Sequence, residues 1–287
     1  MAAPPSEALP ARAAQRSAAN GSMVGGRWVF MGEICVAREH KSLEPSALDK
    51  YIGSMFAPLL RALVRRLPSQ CAVCYAWPST PLCEACVALF AQPLPRCPRC
   101  ALSTPGGVLC NACRQNPGPW DAALAAVSYG YPWARVVQDF KFHENPAWAR
   151  SLALLMRSAP WVEPALEAAD LVLPMPLSRQ RLQSRGYNQA WLLAKALAPH
   201  KAQANWLLRL RDTPAQSGLP RHERLSNVAQ AFAIDPLCQT RLQGRRVVLV
   251  DDVMTSGASL RAAAAPLRQA GVRHITALVF ARAEEDT

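Results

Sequence analysis

The chain has 287 residues, 51% apolar and 18% charged, enough to bury one substantial α/β domain with smaller modules beside it. Lys and Arg number 32 against 20 Asp and Glu, and the net charge of +12 favours acidic partners: nucleic acid, anionic membrane or phosphorylated small molecules. No apolar run approaches the roughly 20 residues of a membrane-spanning helix, and the N-terminus lacks the charged-then-apolar order of a signal peptide, so a cytoplasmic protein is expected.

Residues 1–50 are rich in Ala, Pro and Ser without sustained periodicity, the pattern of a disordered extension; Met23 and Met55 are alternative translation starts. Residues 51–69 differ. Phe56, Leu59, Leu60, Leu63 and Leu67 recur at helical spacing with Arg61, Arg65 and Arg66 alongside, predicting a basic amphipathic helix. Such a helix suits a membrane surface or a partner, and equally suits packing on its own neighbouring domain.

Residues 70–118 hold eight of the ten cysteines, as the pairs Cys71/Cys74, Cys83/Cys86, Cys97/Cys100 and Cys110/Cys113. Two thiolates separated by two residues can occupy adjacent corners of a tetrahedral zinc ion, and a second pair completes the site. Thiols stay reduced in the cytoplasm, so metal binding is preferred over disulfides. A redox Cys-x-x-Cys occurs once, between a strand and a helix, rather than four times; an iron–sulfur cluster stays open. The spacing predicts one or two structural zinc ions in tandem or interleaved ribbons, supplying much of the segment's folding energy. Cys35 and Cys238 are unpaired and read as small apolar residues.

From residue 119 to 287, short aliphatic runs alternate with helical patterns. Strands are predicted at Ala122–Val127, Leu171–Leu173, Val247–Val250 and Ile275–Phe280, with helices at Gln189–Leu197 and Ser259–Ala270. The fold class is therefore α/β, a mostly parallel sheet covered on both faces, with ligands expected in the loops at one end.

The segment Val247–Ser259 (VVLVDDVMTSGAS) carries the clearest chemistry. Asp251 and Asp252 follow a run short enough for a doubly buried strand, which places carboxylates at the crevice where open α/β sheets bind ligands. They could accept hydrogen bonds from vicinal ribose hydroxyls, directly or through Mg²⁺. Thr255, Ser256, Gly257, Ala258 and Ser259 are small enough for the backbone to close on a phosphate at a helix N-terminus. The Gly-Lys-Ser/Thr ending of a Walker A loop is missing, and an ordinary strand end with capping residues is the alternative reading.

This segment closely resembles the fingerprint of type I phosphoribosyltransferases. Together with the basic helix, the cysteine pairs, Phe140-Lys-Phe142, Asp170–Pro176, Arg185-Gly-Tyr-Asn-Gln189 and Gln216 to Asn227, the chain resembles the ComF (ComFC or GntX-like) competence family over about Met55 to Ala283. The resemblance implies a double zinc ribbon ahead of a type I phosphoribosyltransferase-like domain. Asp251 and Asp252 would hold the ribose of phosphoribosyl pyrophosphate with Mg²⁺, and Thr255 to Ser259 its 5′-phosphate. Arg179, Arg181 and Arg185, in the loop after Leu171–Leu173, would face the pyrophosphate, while Gln216, Arg221 and Arg224 would lie in a mobile closing loop. Lys141 would point toward the same mouth, or remain a surface charge; Arg181 and Arg185 could instead line a solvated helix face. Tyr187 and Trp191 read as packing residues.

The family association implies a role in bringing single-stranded DNA into the cytoplasm during natural transformation. Partners would be the DNA and the uptake machinery, and the location the cytoplasmic face of the inner membrane. A phosphoribosyltransferase of nucleotide metabolism and a non-catalytic zinc-stabilised adaptor are the other readings. Some purine-salvage relatives carry an acidic residue at the first position of the phosphate loop, where this chain has Thr255; no acceptor site is legible.

Overall fold

Four segments whose side chains alternate between two apolar environments pair side by side into one parallel sheet. A computed structural model describes residues 69–142, 145–210 and 231–284. The strands are β1 (Ala122–Ser128), β2 (Leu171–Pro174), β5 (Arg246–Met254) and β6 (His274–Arg282), in the order β1-β6-β5-β2. Two shorter strands, β3 (Leu207–Arg209) and β4 (Phe232–Ile234), form a separate antiparallel pair.

Because successive residues of a strand face opposite sides, each strand feeds two cores. Val247, Leu249, Ile275, Ala277 and Val279 face one core, completed by Leu260, Ala263 and Leu267 of the Ala-rich helix α9 (Ala258–Gln269). Val248, Val250, Leu278 and Phe280 face the other. There they meet α3 (Trp133–Phe142), α4 (Trp148–Ser158), α5 (Val162–Ala168) and α7 (Gln189–Leu197). Residues of both central strands are almost wholly buried, as the aliphatic runs require.

The remaining helices are α1 (Glu84–Phe90) and α2 (Asn111–Gln115) in the cysteine-rich segment, α6 (Arg179–Arg185) after β2, and the single turn α8 (Gln239–Leu242). Helix α7 coincides with its predicted span, and α9 is displaced by one residue. One correction concerns β5. The strand does not stop at Val250 but continues through Asp251 and Asp252 to Met254, because β6 is long enough to pair with it as far as Met254↔Arg282. A second concerns Arg179, Arg181 and Arg185, which lie on a helix and not in a loop. Ser178 Oγ accepts from the Arg181 N–H (3.3 Å) to start that helix, and Gly186 ends it in the left-handed conformation (φ 75°).

The cysteine-rich segment covers the open edge of the sheet at β1. The Ala123 N–H donates to the Pro98 carbonyl (2.9 Å), and Arg99 donates to the Asp121 carbonyl (2.9 Å). An exposed edge strand invites pairing with another chain, and this cover removes that opportunity over part of β1. Among the described residues no helix is long and apolar enough to cross a membrane. The extension 1–50, the amphipathic helix Met55–Leu67, Cys35 and the loop residues Gln216, Arg221 and Arg224 lie outside the described residues.

Arg282, at the end of β6, is 3% exposed. It donates from Nε to the Cys100 carbonyl (2.8 Å), and from Nη1 to the carbonyls of Met254 (3.0 Å), Thr255 (2.5 Å) and Ala283. Replacing it by Met keeps the apolar stem and removes the donor to four carbonyls, of which, among the described residues, that of Met254 alone keeps the Ala283 N–H (2.9 Å). Arg282→Met should lower unfolding stability by roughly 3 kcal/mol in chemical denaturation. A change below about 0.5 kcal/mol would show that these bonds do not hold the fold.

Candidate functional site

Helix α7 follows β2 and packs on one face of the sheet, while α9 follows β5 and packs on the other. Adjacent parallel strands whose connections leave to opposite faces open a crevice at their carboxyl ends. A cleft of about 320 Å³ lies there, between Met175, Pro176 and Leu177 after β2 and Asp251, Asp252 and Thr255 on the β5 side. Lys141, Arg181, Arg185 and Arg209 supply its positive wall.

The acidic pair is held tightly. Asp251 Oδ1 accepts from the Asp252 N–H (2.9 Å), and Asp252 Oδ1 pairs with Lys141 Nζ at 3.0 Å. Lys141 is therefore a cleft residue and not a surface charge. Enclosure by protein and the adjacent Asp252 charge push the Asp251 carboxyl up to about 7, with Lys141 opposing. Burial lowers Arg185 from its usual range, and the Asp252 charge partly restores it.

The phosphate-loop residues form a cradle of their own, of about 50 Å³, running from Asp251 to Leu260. Gly257, at φ 73°, turns the chain into α9, and a β-carbon there would lie 3.4 Å from the Trp120 ring. Ser256 Oγ accepts from the Ala258 N–H (3.4 Å). Thr255 and Ser256 are exposed, so the loop faces solvent rather than capping a buried helix end.

Arg181 and Arg185 line the cleft, whereas Arg179 is exposed and turned out of it. The 3.6-residue helical period accounts for this, since positions 181 and 185 share a face that 179 does not. Tyr187 packs on Phe140 (ring centroids 6.1 Å apart) and donates from its hydroxyl to the Phe140 carbonyl, which makes it a brace for the helix carrying Lys141.

Several cleft residues carry no sequence signal of their own. Tyr129 and Arg209 lie on the far wall. Gln189 is 1% exposed, lines the cleft, and among the described residues its Nε2 is the buried side-chain polar atom without a hydrogen-bond partner. Arg282 and Trp120, which fix the loop from behind, could have been suspected as a charge at the end of an apolar run and a large ring beside the Pro-Gly-Pro turn 117–119.

The cysteines gather in sequence order. Cys71, Cys74, Cys83 and Cys86 form one group and Cys97, Cys100, Cys110 and Cys113 the other, with each set of sulfurs within 4.8 Å of one another. The arrangement is tandem, not interleaved. A tetrahedral site with zinc–sulfur bonds of about 2.3 Å needs sulfurs about 3.8 Å apart, and the observed Cys74–Cys83 and Cys100–Cys110 separations are both 3.6 Å. Burial opposes ionisation of Cys71, but N–H groups of Cys74, Cys83 and Val73 outweigh it and bring the thiol down to about 6. Cys97 is brought down to about 7 against burial by the N–H groups of Cys110, Arg99 and Cys100, while burial pushes Cys86 up to about 12. Each group thus offers one thiol ready to ionise, and both could hold zinc.

Residues 221–287 match the family described as "Phosphoribosyl transferase domain". Over 182 residues the chain is 34% identical to "Competence protein F" of Haemophilus influenzae (strain ATCC 51907 / DSM 11121 / KW20 / Rd), covering 61% of this chain and 78% of that protein. The chain belongs to the competence protein F family. Within that family it is 28% identical over 192 residues to "DNA utilization protein YhgH" of Escherichia coli (strain K12), covering 62% of this chain and 80% of that protein. It is also 35% identical over 101 residues to "Competence protein ComFC" of Bacillus subtilis (strain 168), covering 35% of this chain and 39% of that one.

Elemental analysis of the purified chain should return two zinc ions, one per four-cysteine group, and Cys113→Ser should reduce the count to one. A count of two in that variant would mean that the second group is not a ligand set. Gln189→Leu removes an unpaired buried amide, so the ligand-free protein should melt a few degrees higher, corresponding to about 1 kcal/mol. A lower melting temperature would show that the amide is satisfied within the fold.

Proposed function

We propose that the cleft binds phosphoribosyl pyrophosphate with Mg²⁺ in a competence protein that assists the uptake of single-stranded DNA. The observation that carries this is the union, in one cleft at a strand-switch point, of a paired carboxylate, a phosphate cradle and an arginine wall. Asp251 and Asp252 hold the ribose hydroxyls and, when it accompanies the ligand, Mg²⁺, which neutralises the pyrophosphate charge. The backbone from Thr255 to Ser259 receives the 5′-phosphate, and the forked guanidinium groups of Arg181 and Arg185 suit the pyrophosphate. Gln216, Arg221 and Arg224 lie outside the described residues and are proposed to contact the same ligand.

In this reading residues 119–287 are the sugar-phosphate domain and 70–118 the double zinc ribbon. Residues 51–69 carry the basic segment and 1–50 the extension ahead of it. The names of the relatives and the excess of basic residues support a DNA-uptake role, for which we propose a place on the cytoplasmic face of the inner membrane. As for chemistry, the site can position the sugar and stabilise departing phosphates. Thr255 offers no acid–base group, and Asp251 is the cleft carboxyl tuned toward neutral pH.

Calorimetric titration of phosphoribosyl pyrophosphate with Mg²⁺ should give saturable binding that is lost when Asp251 and Asp252 are both changed to Asn. The same double change should abolish natural transformation and leave growth normal. Absence of binding to the wild type would sink the reading in favour of a zinc-stabilised adaptor, and turnover with a base acceptor would favour nucleotide metabolism. The pH dependence follows from Asp251, whose folded value is raised to about 7 from 3.8. Its protonated form favours the folded state, so that contribution to ligand-free stability is present below the ordinary carboxyl range and is lost as pH rises through about 7. Ligand binding runs the other way and should strengthen as pH rises through about 7, with proton release on binding.

A further inference from the structure

A second cavity of about 500 Å³ opens outward from the cleft, lined by Lys141, Phe142, Arg181, Ser184 and Arg185. It shares its three cations with the main cleft, so the two spaces are continuous. Its distinguishing member is Phe142. This ring ends α3 one residue beyond Lys141 and is 61% exposed, so most of its surface is open to a ligand beside the three cations.

One side of the ring is taken by Arg185, whose Cζ lies 4.8 Å from the ring centroid. The Arg185 guanidinium is thereby oriented by two neighbours, the ring and the acidic pair, and the high exposure of Phe142 leaves area open to a planar group. Ser184, at the rim, donates from Oγ to the Arg181 carbonyl (3.1 Å), which keeps the hydroxyl oxygen available as an acceptor.

A phosphate alone would use the cations and leave the open area of the Phe142 ring uncovered. A purely apolar ligand would desolvate Arg181 and Arg185 without bringing either guanidinium a partner. The chemistry that satisfies both is an aromatic base joined to a phosphate. We infer that this outer cavity holds a nucleotide unit, its base stacked on Phe142 and its phosphate on Lys141 and Arg181, beside the sugar phosphate in the main cleft. The inference deepens the reading given above and rests on it for the occupant of that cleft. The unit has two sources, a free mononucleotide or one position of a single DNA strand.

The test uses the full chain, titrated with adenosine 5′-monophosphate, a 5′-phosphorylated oligothymidylate and ribose 5-phosphate, in the wild type and in Phe142→Ala. Stacking on an aromatic side chain is worth a loss of roughly fivefold or more when the ring is removed. That loss is expected for the base-bearing ligands, with ribose 5-phosphate changed by less than about twofold. Phe142→Trp should restore binding and report it by quenching of the new indole. Dependence on Phe142 with the mononucleotide identifies a free nucleotide, and dependence with the oligonucleotide alone identifies a strand; either supports the inference. Equal losses with and without a base, or none in Phe142→Ala, overturn it. A parallel titration of phosphoribosyl pyrophosphate with Mg²⁺ separates the two failures. If it binds normally to Phe142→Ala while no base-bearing ligand shows dependence on the ring, the outer cavity fails and the main cleft stands.

Discussion

The phosphate loop owes its position to one buried guanidinium. Arg282 reaches from the end of β6 to carbonyls at Met254 and Thr255, where β5 gives way to the loop, and to Cys100 within the second four-cysteine group. A charge this deep is tolerated because carbonyl oxygens accept its protons, and each such bond to an ionised donor is stronger than a neutral one. Trp120 completes the support. Its ring lies beneath Gly257 and its Nε1–H donates to the Arg99 carbonyl (2.5 Å) in the same cysteine-rich segment. The loop can therefore stay open to solvent on its ligand face while its other face is fixed.

The opposite wall of the cleft is braced by the first four-cysteine group. Trp133 Nε1–H donates to the Phe90 carbonyl (2.8 Å), and Arg135 donates to the Tyr75 hydroxyl (2.6 Å). Trp133 and Arg135 lie on α3, the helix that ends in Lys141 and Phe142. Phe90 and Val87 pack against the core on that side of the sheet, while Ala101 of the second group is part of the core on the other. The segment thus straddles the β1 edge and touches both layers.

Much of this was legible in the sequence, and the exceptions have physical reasons. The strands of the main sheet announced themselves as aliphatic runs because both their faces are buried. Helix α7 was legible from its helical pattern, and the Asn188 cap, whose side chain accepts from the Trp191 N–H (3.3 Å), is the structural reason it begins there. The extent of β5 was not legible, since Asp251 and Asp252 break the apolar run while their backbone continues to pair with β6. The three-residue strands β3 and β4 were missed because they are too short to show alternation. In the site, Asp251, Asp252 and the loop followed from a local motif. Gln189 and Arg282 act through contacts distant in sequence, and a single chain gives no sign of which buried polar atom will lack a partner.

These contacts make the cysteine groups supports of the cleft walls, although none of their residues lines the cleft itself. Small segments with little apolar core depend on their metal for folding. If the second group lost its ligand set, Cys100 would no longer be fixed, and the anchor for Arg282 and the underside of the loop would go with it. Loss of the first group would release α3 and the Lys141–Asp252 pair from one side only. Disruption of the two groups should then differ in effect: the second supports the loop Thr255–Ser259, and the first supports the acidic pair and the outer cavity. The cleft thus has its opposite walls held by two separate four-cysteine turns as well as by the two hydrophobic layers of a four-stranded sheet.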